Sequence, residues 1–233
     1  MNKRLTVILN EIPDGVGVID VGTDHGYLPA ALAKRGYPGT ILASDINEGP
    51  LRAAKATAEK EGLTDRIRFL LCDGLSKCDP DEIDTIVIAG MGGDLICRIL
   101  DQAEWTMDER YTMILQPMTK AEVLRYWLSN NEYGIVSEQL VEDADKIYSV
   151  LTVRFGSACP ALKDAELFIG QVECIRNDPL FEKFLTAQIA RTEKALSGMQ
   201  DSADEGNGKA RLIGGVLREM REIQEHEYSS GHL

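Results

Sequence analysis

Nine consecutive residues, Ile19-Asp20-Val21-Gly22-Thr23-Asp24-His25-Gly26-Tyr27, carry the densest chemistry in the chain. They follow an apolar, β-rich run and open a helical pattern. Glycine at such a turn lets backbone amides at a helix N-terminus approach a bound group closely. The spacing is not that of a dinucleotide site, which needs glycine at the first, third and sixth positions. Counted from Gly22, those positions hold Gly22, Asp24 and Tyr27. Asp45 ends the next β-rich run, where a carboxylate accepts both hydroxyls of a ribose. Asp73-Gly74 ends the third. An isolated aspartate after a strand is an ordinary turn residue, but three at successive strand ends point to a nucleoside held at the carboxyl edge of a sheet.

The turn itself resembles the acidic-x-Gly-x-Gly-x-Gly loop of class I S-adenosylmethionine-dependent methyltransferases. Asp20, Gly22 and Gly26 match, and Asp24 stands where the middle glycine would be. The ligand expected is therefore S-adenosylmethionine, with Asp73 assigned by the resemblance to the adenine amino group. The fourth β-rich run leads into Ala89-Gly90-Met91-Gly92-Gly93-Asp94. Enzymes that alkylate an exocyclic amine carry Asn/Asp-Pro-Pro-Tyr or a similar tetrad at this place, and this chain does not. The segment reads as a loop with consecutive backbone donors and an apolar Met91 on which a flat base could lie, or as a tight turn capped by Asp94. Leu115-Gln116-Pro117 adds an amide to the same crevice.

Taken together, Lys3-Arg4-Leu5, the run Asp-Val-Gly-Thr-Asp-His-Gly-Tyr-Leu-Pro at 20–29, Ala-Gly-Met-Gly-Gly at 89–93, Leu-Gln-Pro at 115–117 and a helical C-terminal hairpin resemble the bacterial tRNA (adenine-22-N1)-methyltransferase family. The resemblance runs over nearly the whole length. It implies S-adenosylmethionine as donor, tRNA as acceptor and no metal. The donor-binding residues expected are Arg4, Asp20, Gly22, Gly26, Asp45, Ile46, Asp73, Gly74, Gly90 and Met91. Those expected at the reacting base are Asp24, His25, Met91 and Gln116.

Adenine N1 already carries a lone pair, so its attack needs no strong base, and alignment should carry most of the catalysis. Positive charge moves onto the base during transfer, where a carboxylate such as Asp24 stabilises it. His25 can hydrogen-bond donor or base, or can simply brace the turn. N1 lies on the Watson–Crick edge and must be unpaired or flipped out.

Positioning these residues requires alternating strands and helices. Strands are expected over 16–21, 40–44, 67–71, 85–89, 111–115, 134–141 and 147–154, with helices over 28–35, 49–61, 94–102 and 120–130. No helical pattern separates the last two strands, so a hairpin there should put one antiparallel strand into a parallel sheet. After residue 156 the periodicity turns helical, over 164–176, 179–199 and 209–228, with a polar turn over 200–208. The fold class is thus α/β, a Rossmann-like class I methyltransferase sheet of seven strands (1–156), followed by an all-α, coiled-coil-like helical hairpin domain (157–233).

Acidic residues outnumber basic ones by 38 to 25, so net charge does not draw this chain to nucleic acid. Lys183, Arg191, Lys194, Arg211, Arg218 and Arg221 lie opposite the apolar seams of the last two helices, but Glu182, Glu193, Glu222 and Glu225 interrupt them, as on a solvated face. It is the resemblance that brings in tRNA. Five scattered cysteines without a C-x-x-C pair indicate reduced thiols, and no segment has the length and apolarity of a membrane span or secretory leader. A cytoplasmic protein, monomeric by preference, is expected. Two other readings use the same features: a small-molecule methyltransferase on the same fold, or a nucleotide-binding interaction protein without chemistry of its own.

Overall fold

The computed structural model describes residues 1–157, 161–200 and 207–229. Seven strands form one sheet in the order β3-β2-β1-β4-β5-β7-β6. They are β1 (Gly17–Val21), β2 (Thr40–Asp45), β3 (Arg68–Leu71), β4 (Thr85–Gly92), β5 (Thr112–Thr119), β6 (Tyr133–Asp143) and β7 (Lys146–Phe155). The first five run parallel, and β7 lies antiparallel to β5. Central β1 is buried at every residue, as a parallel strand covered on both faces must be.

Helices α1 (Lys3–Glu11), α2 (Tyr27–Lys34) and α3 (Glu48–Glu61) cover one face. There Ile8, Leu28, Leu32 and Ala58 pack with Val18, Ile41, Ala43, Val87 and Ile114 of the strands. The alternate strand residues Ile19, Leu42, Ile86, Ile88, Met113 and Leu115 are equally buried. They point to the opposite face, where α4 (Gly93–Asp101) packs on β4 and β5 and α5 (Ala121–Asn130) packs on β5. Leu51, Ala54 and Ala58 are the buried face of α3, as their spacing requires.

Three boundaries differ from the sequence pattern, each for a local reason. β4 and β5 do not stop at 89 and 115 but stay paired to Gly92 and Thr119, with register slips around Met91. Gly90 (φ 80) absorbs the slip as a bulge residue. The helix expected over 164–176 is two, α6 (Asp164–Ile169) and α7 (Val172–Ile175), interrupted by Gly170 at φ 92. A helix at Lys3–Glu11, absent from the expected pattern, is capped by Asn2, whose side chain accepts from the Leu5 N–H at 2.9 Å. The β6–β7 hairpin turns on two residues, Ala144 (φ 48) and Asp145 (φ 63), the pair of left-handed conformations that matches strand twist.

The described residues form two compact units, Met1–Ser137 with Val141–Cys159 and Glu138–Leu140 with Pro160–Leu233. In the second unit α8 (Phe181–Gln200) and α9 (Asn207–Ser229) pair antiparallel. Glu193 meets Arg221, and Thr186 meets Gln224. Phe181, Phe184, Leu185 and Ile189 face Val216, Leu217 and Met220 across a buried seam, while Arg191 and Lys194 are exposed. Of the turn expected over 200–208, residues 201–206 lie outside the described residues, as does Cys159. Cys72, Cys78 and Cys97 are free thiols. No helix among the described residues is long and apolar enough to cross a membrane.

Candidate active site at the carboxyl edge

The edge is built where β1 passes into α2. Gly22 (φ 72), Asp24 (φ 50) and Gly26 (φ 69) all adopt left-handed conformations, so the backbone coils tightly between strand and helix. The Gly22 and Thr23 amides donate to the Ser44 carbonyl of β2 at 2.8 and 2.9 Å, and Gly26 N–H returns to the Thr23 carbonyl. Thr23 Oγ1 donates to Asp20 Oδ2 at 2.7 Å. The sequence pattern passed over Thr23, although a hydroxyl three residues beyond a strand-end carboxylate is placed to reach back to it.

Asp20 and Asp45 are both buried. Burial pushes the Asp20 carboxyl up to about 6; the Thr23 bond opposes that rise and the Asp45 charge adds to it. Asp45 Oδ1 accepts the Asn47 N–H at 2.9 Å, leaving its other oxygen for a ligand. The Asp45 carbonyl receives Cys72 N–H, which brings Asp73, exposed, and Gly74 (φ 53), buried, to the end of the adjacent strand. Ile46 is 57% exposed, an apolar side chain left uncovered beside these carboxylates.

Met91 enters from β4. A Cβ built on Gly22 would collide with its terminal methyl, and one built on Gly90 would meet nothing within 4 Å. Glycine at 22 thus admits Met91, while open space surrounds Gly90. Residues 89–92 are an extended strand end rather than the loop expected, and Gly93 already opens α4. Asp94 lies in the first turn of α4, whose N-cap is Gly92. Its carboxylate takes the Lys120 ammonium at 2.7 Å, and that bond holds it below the usual carboxylate range.

Asp24 and His25 are exposed, 3.8 Å apart, and the His25 ring stacks on Tyr27 with centroids 5.5 Å apart. Gln116 and Arg4 stand further along the edge. Gln116 is fully buried, with Oε1 receiving Arg4 Nη1 at 2.9 Å and Nε2 donating to the Pro117 carbonyl at 2.9 Å. The amide expected in the crevice is instead the seat of the arginine. The structure therefore brings Asp20, Gly22, Gly26, Asp45, Asp73, Gly74, Gly90 and Met91 to adjoining strand ends, and sets Arg4 and Gln116 apart as a pair. No cluster of histidine, cysteine and carboxylate suited to a metal occurs among the described residues.

A family of proteins described as "Methyltransferase domain" matches residues 1–151. The tRNA (adenine(22)-N(1))-methyltransferase of Bacillus subtilis is 30% identical over 232 residues, 97% of this chain and 98% of that one. The crystal structure of the B. subtilis m1A22 tRNA methyltransferase TrmK superposes with a TM-score of 0.83 at 28% identity, covering 96% of this chain and 98% of that one. M. capricolum TrmK, solved in complex with the cofactor product S-adenosyl-homocysteine, gives 0.80 at 26% identity over 97% and 98%.

Proposed function

Because the chain belongs to the methyltransferase domain family and, within it, to the bacterial tRNA (adenine(22)-N(1))-methyltransferases, we propose that it methylates N1 of adenine 22 in tRNA with S-adenosylmethionine as donor. The observation that carries the reading is the convergence of the Asp20–Thr23 turn, Asp45 and Met91 on one stretch of the carboxyl edge. Bound S-adenosylmethionine supplies the electrophilic methyl group and leaves as S-adenosylhomocysteine. Asp45 accepts the ribose hydroxyls through the oxygen that Asn47 leaves unused. Asp73 accepts from the adenine amino group. The Gly22–Gly26 turn presents its backbone to the donor, with glycine at 22 admitting Met91 and glycine at 26 admitting Ala54 of α3, and Ile46, Gly74, Gly90 and Met91 line it. Open space around Gly90, beside the buried carboxylates of Asp20 and Asp45, fits such a group.

At the acceptor the chain has alignment and charge to offer. Adenine N1 attacks with its own lone pair, so no residue needs to remove a proton first. Asp24, exposed at the turn, stabilises the charge that develops on the base, and His25 hydrogen-bonds at the same place. Residues 1–156 hold the donor and 157–233 engage the tRNA, whose phosphates the exposed Arg191 and Lys194 can meet. The protein works as a cytoplasmic monomer. The test is transfer of labelled methyl from S-adenosylmethionine to unmodified tRNA by the purified protein. Label in tRNA is expected, and label confined to small molecules, or none, refutes the reading.

A further inference from the structure

The carboxyl edge has a second polar assembly, on strands that carry none of the donor-side aspartates. Arg4, in the first turn of α1, sends its guanidinium across β5, β7 and β6. Nε donates to Asp143 Oδ2 at 2.8 Å, Nη1 donates to Gln116 Oε1 at 2.9 Å and lies 3.0 Å from Met118 Sδ, and the charge sits 5.2 Å from the centre of the Tyr148 ring. We propose that Arg4 is a positioning residue for the acceptor side of the methyl-transfer site, acting through Gln116, and not a ligand of the donor. The inference rests on the methyltransferase reading above.

The geometry gives Arg4 little freedom to do anything else. Its side chain is 19% exposed and already neutralised by Asp143, so it is not a free cation waiting for a phosphate. In the sheet order, β4 and β1 stand between its partners and Asp45 on β2. A planar fork with five donors and no acceptor is the side chain that can hold a carboxylate, an amide oxygen and a ring face at once.

What Arg4 holds leads to the reacting centre. Arginine cannot accept a hydrogen bond, so the fully buried Gln116 must turn Oε1 toward it, which aims Nε2 at the Pro117 carbonyl. Pro117 is the register partner of Met91, at the point where the β4–β5 ladder slips. The Met91 methyl in turn occupies the space above Gly22. A chain of contacts therefore runs Arg4–Gln116–Pro117–Met91, from an N-terminal helix to the apolar side chain on which the acceptor base is expected to lie. Without Arg4 a buried amide oxygen loses its donor, and the segment it orients becomes free to shift. A displacement of about 1 Å in such a wall can cost on the order of 100-fold in rate.

Loss of Arg4 should not unfold the protein. α1 is fastened independently at its other end, where Glu11 accepts from Thr152 at 3.0 Å and Ser137 at 3.4 Å, and Ile8 and Ile12 are buried in the core.

The experiment compares wild type, Arg4→Gln, Arg4→Lys, Gln116→Met and the Arg4→Gln/Gln116→Met double variant. The readouts are single-turnover methyl transfer to tRNA, S-adenosylmethionine affinity by calorimetry, and the urea midpoint. Arg4→Gln is expected to slow transfer about 10–100-fold with donor affinity within about twofold of wild type, and Arg4→Lys, which keeps the Asp143 pair, to fall between. The double variant should be no slower than the slower single variant, because both remove one path. Donor affinity falling in step with rate, losses that multiply in the double variant, or unchanged transfer in Arg4→Gln each overturn the proposal. Absence of transfer in the wild type itself overturns the methyltransferase reading, and the Arg4 role with it.

Discussion

Thr23 Oγ1 donates to Asp20 Oδ2 at 2.7 Å, closing the turn that carries Gly22 back onto the strand it has just left. This bond gives a buried carboxylate a neutral hydroxyl partner while Asp45 raises the cost of its charge. Asp20 therefore shapes the turn at a cost in stability once it ionises, and that cost is measurable.

In the folded protein Asp20 titrates near 6, against an ordinary value of 3.8. The native state holds the proton more tightly, so the stabilisation linked to it is fully present below about pH 4 and is lost as pH rises through about 6. Asp20→Asn, which cannot ionise and still accepts from Thr23, should exceed wild type in stability at pH 8 by about 1–3 kcal/mol. The two should converge near pH 4. Urea unfolding at both pH values checks this, and a constant difference would show that ionisation is not the cause.

Asp45 should govern donor affinity. Replacing it with alanine removes a charged acceptor for the ribose and the brace on Asn47 N–H, and should weaken S-adenosylmethionine binding by about 1.5–3 kcal/mol. Calorimetry on the folded variant reads this directly. Unchanged affinity would move the ribose elsewhere.

Gly22→Ala should weaken donor binding at least about tenfold, since it places a side chain at φ 72 and against Met91. Because the obstructing atom is the end of a flexible side chain, Met91→Ala in the same chain should restore part of that affinity. Strain at φ 72 accounts for what is not restored. If the second substitution restores nothing, the Gly22–Met91 contact is not the reason for glycine here.

The β6–β7 turn holds Ala144 at φ 48 and Asp145 at φ 63, where residues with a Cβ pay for a left-handed backbone. Ala144→Asn with Asp145→Gly, the pair best suited to this turn, should raise stability by about 0.5–2 kcal/mol. A urea midpoint at or below that of wild type would contradict the assignment of the turn.

Much of this site was legible because its signals are local. The Asp20-to-Gly26 run, Asp45 and Asp73 each sit where an apolar strand pattern ends, the first two before a helix, and the parallel order then brings them to one edge. The strand ends at Met91 and Met118 were not legible: Gly90, Gly92 and Pro117 resemble terminators, and only pairing between β4 and β5 keeps that backbone extended. The split at Gly170 was hidden by a continuous helical period. Arg4 lies 139 residues from Asp143 and 112 from Gln116. No periodicity connects residues so far apart, and the same distance concealed that Gln116 faces an arginine.

The most direct test of the whole account is the chemical identity of the product. Unmodified tRNA is incubated with the protein and S-adenosylmethionine, digested to nucleosides, separated and weighed by mass spectrometry, with the modified position located by nuclease mapping. The account predicts N1-methyladenosine at position 22, formed by a site that has no amine-type tetrad and needs none for a ring nitrogen with its lone pair in place. N6-methyladenosine, a methylguanosine or a ribose-methylated nucleoside as the main product would contradict it.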